Sequence, residues 1–584
     1  MRSEACSAGS AVLRSPAGPC AGAAPRRAPE SWSASQASAS RLSHSSRFSA
    51  TWKRSRCPRS PPARAAASPS GTQACARSQG TSAPSSNTCR LLARDHAAPE
   101  STLALAKAAS LGRERVRPLA WCSRPRNSAA LLEGALVAKK LILIVIDGLT
   151  PAAFERAAED DRTPALKFLA ENGNYGRGIS TFPSLTPVCL SSIATGAHPD
   201  VHRIPHLVWY HRGERRIVEY GSSFAAVRAA GTRQALLDAI FNMNEQHLGA
   251  EAVTVFEALE DAGYTTAAIN FTCYRGRTRH VPAVAPVTRP AYGPKRFFFF
   301  NLFESDVTGA PLAVFGRSVG SVDAYAAAVG RWLVTRDGFD FLVHYLPDYD
   351  FASHLAGPGA AEEALLRSDA AIWALVEASG GPDEFLERYA VLLCADHGQT
   401  RVERAVRLED RFADAGVIVT ASNRAGMVYR TDATRADTRE LAARLDSEQG
   451  AEAVLFLEGS EAIARRAGEE LRFAPSAAGW ETSGDPALLP QPAALERAWA
   501  ALRNPNAGDL LVSAADGVEF ADLAGRSHLG GGSHGALAAA DSEVPMLAVG
   551  LAAAPRSITD LAPLALQHFG VEPPAYTRRL AHAA

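Results

Sequence analysis

The chain has 584 residues, of which 47% are hydrophobic and 21% charged, with 61 basic and 61 acidic side chains. This length is enough for a large core and for more than one domain. No run of 18 apolar residues occurs and the nine cysteines include no CxxC pair, so the composition predicts neither a membrane-spanning helix nor a disulfide framework.

The neutral net charge hides an uneven distribution of charged residues. Residues 1–136 carry 20 Lys and Arg against 6 Asp and Glu, whereas the rest of the chain carries 41 against 55. The first segment is rich in Ser, Ala, Pro and Arg, so we expect it to form a disordered tail. Three interpretations of this tail compete. It binds nucleic acid or an acidic membrane, it is a targeting segment, or it has no function and is missing from the native protein. We favour the last interpretation, because the ordered pattern starts at Val137.

The cysteines bear on the cellular compartment. Six lie in the tail, and Cys189, Cys273 and Cys394 lie beyond it. Cys394 stands within an apolar run, where a small buried hydrophobic residue is expected. Unpaired cysteines indicate a reducing compartment, and residues 1–30 lack the apolar core of a secretory signal. We therefore expect a cytoplasmic protein, with a secreted or periplasmic location as the alternative.

From residue 137 onward, apolar runs alternate with helical patterns. "LILIVIDG" (141–148) predicts a buried strand, and "TPALKFLAENG" (163–173) predicts a helix that ends at a glycine. "TVFEALEDAG" (254–263) predicts a helix, and three further runs predict strands: "YTTAAINF" (264–271), "FDFLVHYLPDYD" (339–350) and "RYAVLLCADHG" (388–398). This alternation predicts an α/β fold in which a mostly parallel sheet has helices on both faces, a three-layer α/β/α sandwich.

Three stretches interrupt this alternation. Residues 205–250 and 289–303 are aromatic and irregular, and we expect them to form loops or a lid. Residues 417–490 contain a strand, a helix and a strand ("GMVYR", "TRELAARLDSEQG" and "AEAVLFLEG"), which predicts a small inserted α+β subdomain. The folded domain that contains this subdomain is predicted to cover residues 137–584.

Acidic and histidine residues follow several of the predicted strands. Taken singly, each is typical of a helix cap or a turn. In an open parallel sheet, however, the C-terminal ends of the strands lie at one edge, where ligands bind. Three Asp and three His side chains suit zinc and exceed the four positions of one tetrahedral ion, so they fit two metals. These candidate ligands are Asp147, Asp350, His354, Asp396, His397 and His534.

The stretch "FPSLTPVCLSSIATG" (182–196) supplies hydroxyl groups that a metal would activate as nucleophiles. With the ordered motifs Asp147, "FPSLT…TG", "DxxxH", "DHG" and "HG", it resembles the alkaline phosphatase superfamily over about residues 138–540. Within that superfamily the chain resembles the type I phosphodiesterase/nucleotide pyrophosphatase family. The other hydroxyl residues of the stretch are expected to bond the backbone and start a helix.

The resemblance implies an alkaline-phosphatase-like fold and a hydrolase of phosphoric esters with two divalent metal ions, expected to be zinc. It implies that Thr186 is the nucleophile and forms a phospho-threonine intermediate. It also implies two sets of ligands, Asp147, Asp396 and His397 for the metal that binds Thr186, and Asp350, His354 and His534 for the second metal. His528 is the second choice to His534, because no glycine follows it.

Two positions depart from the family pattern. Cys189 stands where relatives that cleave nucleotide diesters carry an Asn, and a thiol is a poor hydrogen-bond donor, which puts a nucleotide preference in doubt. Arg203 replaces a glycine, either as a contact to an anionic substrate or as a turn residue. The Cys-x-Pro-x-Arg pattern of sulfatases does not follow Cys189, so we expect Cys189 to serve in packing or as weak support for the site.

Substrate contacts are predicted only weakly. Trp209 and Tyr210 offer aromatic faces, and Arg275 and Arg277 offer charge for a second phosphate. The alternative interpretation is lid packing for the aromatic residues and a solvated turn for the arginines.

The expected substrate is a small-molecule phosphate ester, with a diester ahead of a monoester and a phosphonate. Alternatives of other classes are a metal-containing binding module without turnover and nucleic-acid binding by the tail, which lacks interleaved aromatic residues. A phosphomutase would show a Ser nucleophile in place of Thr186. The sequence gives no firm evidence for a nucleic-acid partner and leaves the oligomeric state open.

Overall fold

The computed structural model describes residues 138–578, apart from 283–288, 306, 310–311, 313–320 and 553. The predicted tail, residues 1–136, lies outside this part of the chain. Within the described residues, no helix combines the length and the apolarity needed to cross a bilayer.

The strands are numbered in chain order. They are β1 (Lys140–Ile146), β2 (Gly173–Ile179), β3 (Val208–His211), β4 (Arg216–Glu219), β5 (Thr266–Ile269), β6 (Thr278–His280), β7 (Ala291–Gly293), β8 (Arg296–Phe299), β9 (Phe303–Ser305), β10 (Phe341–Leu346), β11 (Tyr389–Cys394), β12 (Thr400–Arg401), β13 (Arg404–Val406), β14 (Val417–Ser422), β15 (Ala425–Arg430), β16 (Ala451–Glu458), β17 (Glu461–Arg466), β18 (Glu469–Ser476), β19 (Gly479–Ser483), β20 (Leu510–Ala514), β21 (Val518–Phe520), β22 (Gly532–Ser533) and β23 (Glu543–Val549).

The helices are numbered in the same way. They are α1 (Pro151–Ala157), α2 (Pro164–Glu171), α3 (Thr186–Thr195), α4 (Pro199–His202), α5 (Phe224–Ala229), α6 (Thr232–Leu237), α7 (Val255–Asp261), α8 (Val322–Thr335), α9 (Asp348–Ala356), α10 (Glu362–Ser379), α11 (Pro382–Arg388), α12 (Thr438–Asp446), α13 (Ala494–Leu502), α14 (Ala539–Ser542) and α15 (Leu561–His568). A π-helix, Asp238–His247, follows α6.

The central sheet has the strand order β2-β23-β11-β1-β10-β5-β8-β9. The strands from β11 to β8 in this order pair in parallel, and the pairs of β23 with β11 and β2 and of β9 with β8 are antiparallel. Residues 141–146 of β1 are all buried, as expected for a strand that is covered on both faces. The sheet is therefore mixed, with a parallel centre.

Helices cover this sheet in two groups. Helices α2, α8, α9 and α11 pack around α10, whereas α3 and α7 pack against α15. One continuous core joins the strands of the sheet to residues of both groups, such as Leu166 of α2, Val329 of α8 and Ile193 of α3. This arrangement confirms the predicted three-layer α/β/α sandwich.

A second sheet has the strand order β14-β15-β20-β16-β17-β18-β19 and is antiparallel throughout. Helix α12 packs on one of its faces, where Leu441 and Leu445 join a cluster with Val454 and Phe456. Most of these strands lie in the predicted span 417–490, but β20 lies beyond it and pairs between β15 and β16. The boundaries of the inserted subdomain stay a prediction.

Two stretches that were expected to form loops or a lid contain regular elements, which corrects the expectation of loops. Residues 205–250 contain the hairpin of β3 and β4, helices α5 and α6, and the π-helix. In residues 289–303, the run of phenylalanines forms β8, which pairs with β5 and extends the central sheet. Phe297 and Phe298 are fully buried, so their aromatic character reflects core packing.

Candidate active site

Three neighbouring strands of the central sheet deliver the acidic residues. Strand β1 ends at Ile146, directly before Asp147, and it lies between β10 and β11. Asp396 and His397 follow β11, while α9 follows β10 and carries Asp350 and His354 one helical turn apart. Because the three strands are parallel, these side chains meet at one edge of the sheet, as the sequence predicted.

The first group consists of Asp147, Asp396 and His397, whose ligand atoms lie within 4.8 Å of one another. Nε2 of His397 is 3.3 Å from Oδ1 of Asp147 and 3.4 Å from Oδ2 of Asp396. Oδ1 of Asp396 accepts hydrogen bonds from the backbone N–H groups of Gly148 (3.1 Å) and His397 (3.0 Å). These bonds fix the Asp396 carboxylate and leave its other oxygen to the group.

The second group consists of Asp350, His397 and His534. His354, which the sequence assigned here, contacts the group through Asp350, with its Nε2 3.2 Å from Oδ2 of that residue. The rings of His397 and His534 are stacked, with centroids 3.5 Å apart. His397 thus belongs to both groups, a sharing that the sequence did not predict.

Backbone carbonyls set the tautomers of the three histidines. Nδ1 of His354 lies 2.8 Å from the carbonyl oxygen of Gly532, and Nδ1 of His534 lies 2.8 Å from that of Ser184. Nδ1 of His397 lies 3.1 Å from the carbonyl oxygen of Gly398. A carbonyl only accepts, so each Nδ1 carries a hydrogen, which leaves each Nε2 as the nitrogen that would bind a cation.

Thr186 is the first residue of α3, and its Oγ1 lies 3.2 Å from Nε2 of His397. Pro187 follows it in the first turn, where the missing N–H costs no hydrogen bond. The preceding residues turn towards the site, since the carbonyl of Ser184 holds His534. The hydroxyl of Thr186 therefore faces the histidine that the two groups share.

The electrostatics of the site fit a bound cation. Burial raises the pKa of Asp147 well above its ordinary value, and the nearby carboxylates of Asp396 and Asp350 raise it further. Burial also raises the pKa of Asp396 and lowers that of His534, which keeps this ring neutral. In the described part of the chain, Oδ1 of Asp147 and Oδ2 of Asp396 have no hydrogen-bond partner. Buried carboxylates beside imidazoles are a donor set for divalent metals.

A cavity of about 860 Å³ opens over these residues. Asp147, Thr186, Asp350, His354 and His534 line its base. Its walls are mostly apolar and include Leu207, Ala239, Ile240, Met243, Phe299, Phe300, Leu302, Phe351 and Leu355. Among the described residues that line it, no Lys or Arg occurs.

Cys189 and the two predicted aromatic residues do not line this cavity. Cys189 is buried one turn after Thr186 on α3, with its Sγ 3.1 Å from Oγ of Ser180. Trp209 is fully buried in the cluster that covers the second sheet, and the ring of Tyr210 packs edge-on against Tyr429. The structure thus places the three side chains in packing positions, away from the base of the cavity.

The predicted arginines also lie outside the cavity lining and have partners within the chain. Arg275 donates to Glu257 and to the carbonyls of Leu248 and Gly249. Arg277 donates to Glu257 (2.8 Å) and, with two nitrogens, to Asp261 (2.8 and 3.0 Å). Arg203 pairs with Glu251 and has a φ of 67°, the left-handed conformation that glycine favours. This backbone matches its interpretation as a turn residue.

Three residues at the site were missed. The hydroxyl of Tyr345 donates to Oδ2 of Asp147, and Nε2 of Gln399 lies 2.5 Å from Oδ1 of Asp350. Nδ2 of Asn423 lies 3.1 Å from Nε2 of His534. Tyr345 and Gln399 each lie within a few residues of a predicted ligand, which is the signal that the sequence offered for them. Asn423 comes from the turn between β14 and β15 of the second sheet, and no sequence pattern connects it to the site.

Comparison with known proteins gives a family and a set of structures. The family model of type I phosphodiesterase / nucleotide pyrophosphatase matches residues 141–537. Phosphonoacetate hydrolase from Sinorhizobium meliloti 1021, in complex with phosphonoacetate, is 20% identical, with a TM-score of 0.50, and the match covers 74% of this chain and 96% of that one. Murine ectonucleotide pyrophosphatase / phosphodiesterase 5 is 14% identical over the same shares, with a TM-score of 0.49. No curated protein matches.

The family model covers about two thirds of the chain, including every strand end and loop that carries the candidate ligands. The likeness to phosphonoacetate hydrolase agrees with it at the level of the fold. The chain therefore belongs to the type I phosphodiesterase/nucleotide pyrophosphatase family and is a hydrolase of phosphoric esters.

Proposed function

We propose that the protein hydrolyses phosphodiesters through a covalent phosphate ester on Thr186 and that it works with two divalent metal ions, for which zinc suits the donors. The observation that carries the proposal is the hydroxyl of Thr186, 3.2 Å from the imidazole that the two ligand groups share. Asp147, Asp396, His397 and Thr186 would hold one ion, and Asp350, His354 and His534 the other.

Metal ions bound by these residues would supply positive charge that activates the Thr186 hydroxyl and stabilises the leaving oxygen. The chain itself positions the reacting groups. Thr186 lies at the start of a helix whose following residues, Pro187 and Val188, are buried, so its oxygen has a fixed place. As the bond from Thr186 to phosphorus forms, the bond to the leaving alcohol breaks. Water then hydrolyses the phospho-threonine and releases Thr186.

The cavity supports a diester ahead of a monoester or a phosphonate. A phosphomonoester or a carboxylated phosphonate carries at least two negative charges, and cationic side chains are the usual partners of such groups. None lines the cavity among the described residues, whereas its walls present leucine, isoleucine, methionine and phenylalanine. A diester has one charge and a second substituent, which would fill the apolar part of the cavity. Phosphonate and phosphomonoester hydrolysis remain the alternative activities.

The test compares bis(4-nitrophenyl) phosphate with 4-nitrophenyl phosphate on the full-length, zinc-loaded protein. We expect the diester to react faster, and Thr186→Ala to lower kcat/KM by about 10³-fold or more while retaining zinc. Thr195→Ala is the matched control, because Thr195 ends the same helix and its hydroxyl donates to the carbonyl of Ser191 in that helix and accepts from the N–H of Ala197 in the following turn. Preference for the monoester would favour phosphatase activity. An active Thr186→Ala variant would exclude the nucleophile, and no turnover of either ester would favour a binding module.

Two further expectations remain proposals. We propose a cytoplasmic location, supported by the three cysteines of the described chain, which are buried and form no disulfide. We also propose a catalytic domain that spans residues 137–584.

A further inference from the structure

A phosphoryl group at the base of the cavity needs hydrogen-bond donors for its free oxygens, because charge develops on them during transfer. Among the described lining residues, which include no Lys or Arg, Asn423 alone carries a side-chain amide. We propose that this amide holds a non-bridging oxygen of the phosphoryl group during its transfer to Thr186. The inference rests on the proposed function and adds a residue from the second sheet to it.

The orientation of the Asn423 amide is fixed. Oγ of Ser422 donates to Oδ1 of Asn423 at 2.9 Å, so the carbonyl end of the amide is engaged and the NH₂ end points to His534. The backbone is held as well, since the N–H of Phe520 donates to the carbonyl of Asn423 at 2.7 Å. Asn423 is 4% exposed and has a φ of 57°, a left-handed conformation that asparagine adopts more readily than most residues.

The amide lies close to the reacting groups. Its Nδ2 is 3.1 Å from Nε2 of His534, whose ring stacks on His397, and His397 contacts Thr186. Nε2 of His534 has one lone pair. A cation bound at this nitrogen would displace the hydrogen bond from Asn423, so the NH₂ group would shift away from His534 and be free to donate to a phosphoryl oxygen.

A role confined to holding His534 would not need the amide. The carbonyl of Ser184 already bonds Nδ1 of His534, and the N–H of Arg424 donates to the backbone carbonyl of His534 at 2.8 Å. His534 is thus positioned by backbone groups on two sides. The side chain of Asn423 is available for the substrate.

The test uses the full-length, zinc-loaded protein and two variants. Asn423→Gly removes the amide and accommodates the positive φ, and Asn423→Asp keeps the shape but replaces the NH₂ donor by an acceptor. We expect kcat/KM for bis(4-nitrophenyl) phosphate to fall about 10²-fold in both variants. Zinc content and the unfolding midpoint should stay unchanged. Asn504→Gly, which removes an equally buried asparagine outside the cavity, is the control and should retain wild-type kinetics.

Inorganic phosphate, titrated by calorimetry, gives a readout that does not depend on turnover. In a Thr186→Ala background, Asn423→Gly should raise the Kd for phosphate about tenfold, the effect of one lost hydrogen bond. Unchanged kcat/KM and unchanged phosphate affinity would overturn the inference. Loss of zinc in step with activity would also overturn it, because Asn423 would then act through His534. Weaker phosphate binding in a protein that hydrolyses no ester would leave the inference standing and contradict the proposed function.

Discussion

His344 allows a direct test of how the free energy of unfolding depends on pH. It lies in β10, directly before Tyr345, and pairs with Ile144 of β1 and Ile269 of β5. The side chain is fully buried, and neither ring nitrogen has a hydrogen-bond partner among the described residues. Burial lowers the pKa of His344 from 6.5 to about 4. The folded protein therefore holds a neutral imidazole that the unfolded chain would protonate.

The size and sign of the effect follow from this difference in pKa. Above pH 6.5 the ring is neutral in both states, and the stability of the fold is fully present. As the pH falls from 6.5 towards 4, only the unfolded chain binds the proton, so stability is lost. At 1.36 kcal/mol for each pKa unit, the complete loss is about 3 kcal/mol, of which about 2 kcal/mol is lost by pH 5.

The substitution His344→Leu removes this titration and fills the same apolar site. Urea unfolding of wild type and variant, both treated with a chelator so that metal release does not contribute, gives the free energy of unfolding at pH 7.5 and at pH 5. Relative to wild type, the variant should gain about 2 kcal/mol between the two pH values. The other buried histidines titrate in both proteins and cancel in this comparison. An equal difference at both pH values would refute the reasoning, because His344 would then not be held neutral by burial.

Two further predictions concern groups that support the site. Tyr345→Phe removes the hydroxyl that donates to Asp147, and it should weaken zinc binding about 10- to 100-fold. Unaltered zinc affinity in a competition titration with a chelator would contradict this prediction. Arg424 and Asp541 form a fully buried ion pair. Arg424→Met leaves Asp541 as an unpaired buried charge, and it should lower the free energy of unfolding by about 3–5 kcal/mol. The double variant with Asp541→Leu should recover part of that loss in urea unfolding, and no recovery would show that the pair itself is not the cause.

The position of the acidic residues at the strand ends could be predicted, because the apolar pattern locates the strands and parallel pairing brings their ends together. An apolar run that ends in Asp fixes both the strand and the position of the acid, and parallel pairing of β1 with β10 and β11 brings Asp147, Asp350 and Asp396 to one edge. The spacing of Asp350 and His354 on α9 likewise places both on one helical face. The outer strands β8 and β9 were missed, because a run of phenylalanines with a short turn has no clear period.

The remaining contacts depend on which distant segments meet. Arg275 and Arg277 stand in a basic stretch that resembles a phosphate site, but α7 places Glu257 and Asp261 beside them, and local sequence does not show this neighbour. Asn423 reaches His534 only through the hairpin of β14 and β15, whose docking is a tertiary event. His397 belongs to both ligand groups because of differences of a few ångströms in its position, and residue spacing in the sequence does not predict distances at that precision.

The second sheet, through the hairpin of β14 and β15, supports the loops that carry the candidate site residues. Phe182 and Leu537, which flank the loops of Thr186 and His534, pack in one cluster with Met427 and Leu455 of the second sheet. Local opening of that sheet would therefore release both loops before the central sheet unfolds. A cavity-forming substitution in the core of the second sheet, far from the candidate ligands, should therefore be observed as a loss of turnover.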